Sequence, residues 1–230
     1  MLNLAAAALT FFALHRVISG SRLRDRIVAL IGETAFRRVF ALASFACLTW
    51  LWLGFQSARA SPWNVQLFTP RATLELLQIP LQLLAFLLIV AGITTRNPTT
   101  AGMAAMASDR NIVRGTLRIT RHPFLWGVAL FAAGHMLVSP SLAAWGFFGT
   151  LLVLALTGTL SIDAKRHRAL GGDWEAFAAA TSNVPFQAIL AGRQRVEMRE
   201  IGWWRPLLGV AVYALLTFGH PYLFGVSALP

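Results

Sequence analysis

Apolar side chains occupy this chain in long blocks, and charged ones are confined to the intervals between them. Residues 39–58, 76–95 and 123–162 contain no Asp, Glu, Lys or Arg, and from residue 206 to the end the chain is uncharged apart from what His220 can contribute. A helix of about 20 apolar residues crosses the hydrocarbon of a bilayer, so each block is long enough to span. The stretch 123–162 is long enough to span twice, and Ser139-Pro140-Ser141 near its middle reads as a tight hairpin between the two passes. Residues 2–18 are apolar apart from Asn3, His15 and Arg16; they lack the basic leader and small-residue cleavage site of a signal peptide and read as a retained first span. The pattern predicts an all-α polytopic membrane helix bundle of about six transmembrane helices. No linker is polar and long enough to divide it, so residues 1–230 form a single domain.

Composition agrees with that class: 57% of residues are hydrophobic and only 13% are charged. The net charge of +11 raises the question of nucleic acid, and the positions of the charges answer it. All but Arg59 and Arg71 of the 20 lysines and arginines lie in alternate loops: after span one (Arg16, Arg22, Arg24, Arg26, Arg37, Arg38), after span three (Arg96, Arg110, Arg114, Arg118, Arg121) and after span five (Lys165 to Arg205). The positive-inside rule then puts those loops in the cytoplasm and both termini on the non-cytoplasmic side. Anionic membrane lipids are the expected partners of this charge; a soluble nucleic-acid binder would not distribute it by loop parity. The expected location is the bacterial inner membrane. With one cysteine, Cys47, no intrachain disulfide or cysteine-based metal site can form.

Four of the five histidines fall in or at the edge of spans: His15 near the cytoplasmic end of span one, His122 at the start of span four, His135 deep within it, and His220 near the outer end of span six. An imidazole in hydrocarbon is costly without a partner, which makes His135 a functional-site candidate. Imidazoles from several helices suit the axial coordination of haem. A carboxylate-bridged metal is disfavoured, because none of the nine acidic residues lies at mid-membrane depth. Depth along the helices, at 1.5 Å per residue, puts His135 about 20 Å and His15 about 6 Å from the cytoplasmic edge, a spacing that pairs His15 with His122 or His135 with His220. Arg118 and Arg121, just before Pro123, are candidates for binding haem propionates or another anion. In the loop after span five, Gly171-Gly172-Asp173-Trp174 reads as a helix break followed by a new start, with Trp174, Phe177, Phe186 and Ile189 expected to lie on the membrane surface.

Four blocks, in order, resemble the NnrU family: His15 with Ser19-Gly20 and GETAFRRVFALAS (residues 32–44); LRITRHPFLWG (117–127) with Gly134-His135; TSNVPFQAILAGRQ (181–194); and Gly219-His220-Pro221. The third is similar to the late loop of the family's plant and cyanobacterial 15-cis-zeta-carotene isomerases. The resemblance implies a haem b membrane isomerase acting on the central cis double bond of a lipid-soluble polyene in carotenoid biosynthesis. It implies His15 and His135 as the iron ligands and catalytic pair; depth keeps His122 as the next candidate, and Arg118 and Arg121 stay cofactor-binding candidates from their place before Pro123. The isomerases carry a cysteine three residues before the second ligand; here that position is Ala132. Competing readings are a haem membrane protein of nitric oxide or denitrification metabolism, a non-catalytic haem carrier, and an isoprenylcysteine-type methyltransferase suggested by Arg121-His122-Pro123 and Asp173-Trp174-Glu175.

Overall fold

The computed structural model describes residues 1–109 and 111–229; Arg110, counted above among the loop arginines, and Pro230, at the end of the sixth apolar block, lie outside the described residues. The chain is all-α. Helix α1 (Leu2–Ala13) continues as a π-helical stretch, Leu14–Ser19, and is followed by α2 (Arg22–Ile31), α3 (Glu33–Arg59) and α4 (Ala72–Thr94). Helices α5 (Pro123–Val138) and α6 (Leu142–Leu170) come next, then the short α7 (Gly172–Ala180), α8 (Gln187–Leu190) and α9 (Met198–Ile201), and finally α10 (Trp204–Phe224).

Among the described residues, five helical stretches are long and apolar enough to cross a membrane: Leu2–Ser19, α3, α4, α6 and α10. The sixth expected span, α5, has 16 residues and so extends about 24 Å. Its shortness follows from its place. It lies between α4 and α6, it starts at Pro123 where the proline ring presets the first turn, and it stops at the predicted Ser139-Pro140 hairpin. Ser141 caps α6 by accepting from Ala144 N.

Glycine permits the closest helix contacts. A Cβ at Gly92 of α4 would come within 2.4 Å of Phe124 N, and one at Gly127 of α5 within 2.7 Å of Ile89 N. Small residues at such crossings let backbones approach where lipid supplies no hydrophobic drive for association. Packing proceeds α10 on α4, α4 on α5, α5 on α6, with α1 and α3 closing against α6. The outward faces remain apolar, with Leu42, Phe45 and Leu53 of α3 and Leu215, Phe218 and Leu223 of α10 exposed, as a lipid-facing surface requires.

Both ends of the bundle have the predicted parity. At one end Leu67 N donates to Pro140 O and Leu142 N to Val65 O, tying the α3–α4 loop to the α5–α6 hairpin, and the C-terminal residues Val226–Leu229 lie beside them. Asn3 near the N-terminus bonds Trp50 in the half of α3 that leads toward that end. At the other end the three arginine-rich segments meet, through Arg37 against Gly102, Arg166 with Thr100 O and Arg118 with Glu200.

The segment after α6 departs from expectation. Gly171, at φ +52, ends α6 and α7 begins at once, as predicted. Trp174 and Phe177, however, are each only 3% exposed and pack on Ala107 and Leu117. They form a small core at the arginine-rich end of the bundle instead of a membrane-facing surface, because the loop after α4 folds back over them; Phe186 remains exposed.

Candidate functional site

A cavity of about 600 Å³ opens between α3, α4, α5, α6 and α10. Helix α10 packs along α4 while α3 packs on α1 and α6, so α3 and α10 face one another across the space and approach through Trp52 and Phe224, whose ring centroids are 5.7 Å apart. Aromatic rings form much of the wall: Trp52, Phe55, Phe86, Phe131 and Phe148. Polar groups converge on it from α4, where Glu75, Gln78 and Gln82 recur along one helix face, and from Arg59 of α3. An apolar recess with a few placed polar groups is the usual form of a small-molecule site.

His135 and His220 both line this cavity. His135 stacks on Phe148 with centroids 4.4 Å apart and an interplanar angle of 18°. Its Nδ1 lies 2.8 Å from Phe131 O and 3.1 Å from Gln82 Nε2, while Gln82 Nε2 lies 3.0 Å from Phe131 O. Three mutual contacts cannot all be hydrogen bonds. If Nδ1 were unprotonated, its lone pair would face a carbonyl at the shortest of the three distances; the arrangement therefore selects Nδ1–H donating to Phe131 O, with Gln82 as a second donor to that oxygen. That tautomer leaves Nε2 with a free lone pair. His220 repeats the pattern, with Nδ1 2.8 Å from Val226 O.

His15 is elsewhere. Its Nδ1 is 3.0 Å from Phe11 O and its ring meets Phe11 and Phe40 edge-on. The neighbouring Arg16 bonds Thr157 O on α6, nine residues beyond the Phe148 that stacks on His135, a rise of about 13 Å. Phe11 and Phe148 belong to one buried cluster, and His15 is not among the residues that line the cavity. Ala132 is fully buried in the same cluster and does not line the cavity.

The residues expected to help bind a cofactor at the cytoplasmic end are engaged by carboxylates of the chain itself. Arg121 donates from Nε and Nη2 to Asp163 at 3.0 and 2.5 Å, His122 Nε2 is 2.7 Å from Asp163 Oδ1, and Asn183 Nδ2 donates to Asp163 Oδ2 at 3.1 Å. His122 is 1% exposed and its Nδ1 has no partner among the described residues. Burial pushes its pKa down, against the raising effect of Asp163. Arg118 is held by Glu200 through two bonds of 2.7 and 2.9 Å and by Gln194 at 2.7 Å. The bond to Arg118 in turn holds the Glu200 carboxyl down at about 2. His167 is exposed and bonds only Glu175.

Two functional positions were not singled out from the sequence. Gln82 is 7% exposed and orders the His135 ring; its signal was a polar residue recurring with Gln78 inside an apolar span. Asp163 is the hub of the cytoplasmic clamp; its signal was a lone acid closing the long uncharged stretch. No group of three or more His, Cys, Asp or Glu side chains able to hold a metal ion occurs among the described residues.

Comparison with known proteins adds identity to this geometry. The 15-cis-zeta-carotene isomerase of the chloroplast of Arabidopsis thaliana is 32% identical over 117 residues, covering 49% of this chain and 32% of that protein, so the match spans about a third of the relative's length. No solved structure matches. The family profile described as NnrU protein matches residues 3–228, which takes in every spanning helix and both walls of the cavity, and the chain belongs to the NnrU family.

Proposed function

We propose that the chain is a membrane cis–trans isomerase of a linear, carotene-type polyene, with haem b as cofactor, in the bacterial inner membrane. The observation that carries the reading is the cavity itself: an aromatic-walled space within the bundle, with an unbonded imidazole nitrogen on its wall. Family membership and the isomerase relative support the reaction class.

The donor set fits haem b. A metal-ligating histidine typically donates its other ring N–H to a carbonyl or carboxylate, which fixes the tautomer, and Phe131 O and Val226 O serve His135 and His220 in this way. His135 and His220 would hold the iron. The His15–His135 pair implied by the family resemblance is less favoured, since His15 does not line the cavity. A reduced haem iron would supply electron density to the conjugated system, lowering the order of one double bond so that it can rotate without net oxidation.

The chain's own residues do the rest. Trp52, Phe55, Phe131 and Phe148 offer flat apolar faces to a polyene. Gln82 and Phe131 O keep His135 from rotating. The methyltransferase reading loses its residues, because Arg121 and His122 are bound to Asp163 and do not line the cavity.

Visible spectra of the purified protein, oxidised and reduced, test the cofactor. A Soret band lost in His135→Ala and altered in His220→Ala, but kept in His15→Ala, is the expected result; loss in His15→Ala with retention in His220→Ala would restore the other pair. Zeta-carotene isomers incubated with dithionite-reduced protein and resolved by chromatography test the reaction. If no trans product appears above a haem-only control, the isomerase reading fails.

A further inference from the structure

At the cytoplasmic end, away from the cavity, α2, α3 and α6 bring four cationic side chains toward one another. Lys165 of α6 is half-buried, makes no hydrogen bond or ion pair among the described residues and adjoins Arg166 in the chain; Arg166 and Arg37 meet the same turn at Thr100 and Gly102, and Arg37 and Arg24 share Glu33. Arg166 donates from Nη2 to Thr100 O at 2.8 Å, while its buried Nε has no acceptor. Arg24 is bonded to both oxygens of Glu33, at 2.8 and 2.7 Å, with its guanidinium over Phe36. Arg37 packs on Gly102 and comes only within 4.0 Å of Glu33. Glu33 and the exposed Asp25 are the acidic groups facing these four cations.

Snorkelling would let a long cationic side chain at a helix end escape such crowding toward water. Lys165 instead stays half-buried next to Arg166, and Glu33 is already taken up by Arg24 and Arg37, so four cations share Glu33 and the exposed Asp25, and a further anion would relieve the remaining charge. We infer that Lys165 and Arg166 of α6, with Arg24 of α2 and Arg37 of α3 at the rim, form a binding site for a phosphate group. A phosphate provides several acceptor oxygens at once, taking a guanidinium in a paired geometry and an ammonium as a point charge. Basic recesses between spanning helices on the cytoplasmic side suit lipid headgroups. Helix α2 also offers exposed Leu30 and Ile31 beside the site, an apolar surface for acyl chains of the kind interfacial amphipathic helices present. A phospholipid headgroup and free phosphate share the chemistry that these residues recognise.

Native mass spectrometry of the full chain in detergent, titrated with phosphatidylglycerol or with diacylglycerol, which lacks the phosphate, tests the site. Wild type should retain one phosphatidylglycerol and no diacylglycerol. Lys165 makes no hydrogen bond, so Lys165→Gln should fold, which helical circular dichroism checks, and should weaken retention by about fivefold or more. Arg195→Gln removes the same charge from a side chain that is 85% exposed and should leave retention unchanged. Thermal melts with inorganic phosphate separate the two sources: stabilisation by the ion in wild type and not in Lys165→Gln assigns the site to free phosphate, and stabilisation by phosphatidylglycerol only assigns it to the headgroup. Equal retention by the Lys165 and Arg195 variants, or equal binding of both lipids, would overturn the proposal.

Discussion

Asp163→Asn should be one of the most damaging single-atom changes outside the cavity. The carboxylate accepts from Arg121, His122 and Asn183, and the Arg121 and Asp163 side chains are 13% and 18% exposed. The amide keeps the shape of the side chain but removes its charge, leaving the Arg121 guanidinium uncompensated in a mostly dry place. Removing one partner of a fully buried pair costs about 3–5 kcal/mol. The residual exposure here admits some screening, which reduces the expectation to about 2–3 kcal/mol. For a chain of this size that corresponds to a fall in melting temperature of about 4–12 °C. Cys47, the one cysteine, is half-buried in α3, so a thiol-reactive fluorophore reports unfolding in detergent directly. Glu197→Gln, which removes the partner of the exposed Arg195, is the control and should not shift the transition. An Asp163→Asn shift no larger than that of Glu197→Gln would refute the claim that this clamp holds the cytoplasmic end together.

Gly92→Ala should destabilise by about 1–3 kcal/mol, because its Cβ would meet the Phe124 backbone at 2.4 Å; an unchanged melting temperature would mean that α4 and α5 can separate at no cost. Glu200 has its carboxyl held down at about 2 by Arg118, a depressed acid whose contribution is present above its ordinary 4.5 and lost as pH falls toward 2. Wild type should therefore lose stability through that window more steeply than Glu200→Gln, and parallel pH curves would contradict the pairing. Reporter fusions at Ser139-Pro140 should read as non-cytoplasmic, and a cytoplasmic signal there would invert the assigned orientation.

Much of the architecture was legible from the chain alone, for a reason specific to membranes. Hydrocarbon forces every backbone polar group into a helix, so uncharged blocks of spanning length read directly as α3, α4, the α5–α6 pair and α10, and the arginine loops report the side. The hairpin at Ser139-Pro140-Ser141 and the end of α6 at Gly171 were equally local, written in turn chemistry. Depth arithmetic along single helices also anticipated that His135 and His220 could share a site.

What tertiary structure alone decided is which apolar faces meet. Lipid tails and a protein interior are equally apolar, so hydropathy does not distinguish a lipid-facing Leu from a packed one; Leu51 is fully buried and Leu53 is exposed on the same helix. For the same reason the presence of His135 on the cavity wall and the absence of His15 from it, and the burial of Trp174 and Phe177 under the α4–α5 connection, depended on contacts distant in sequence. Asp163 sits about 40 residues from Arg121 and His122 in the chain, and no periodic pattern links them. A family resemblance named residues that matter, and composition named the solvent they sit in. Only the packing of α10 on α4 and of α3 on α1 and α6 turned those residues into a cavity with two walls and an opening.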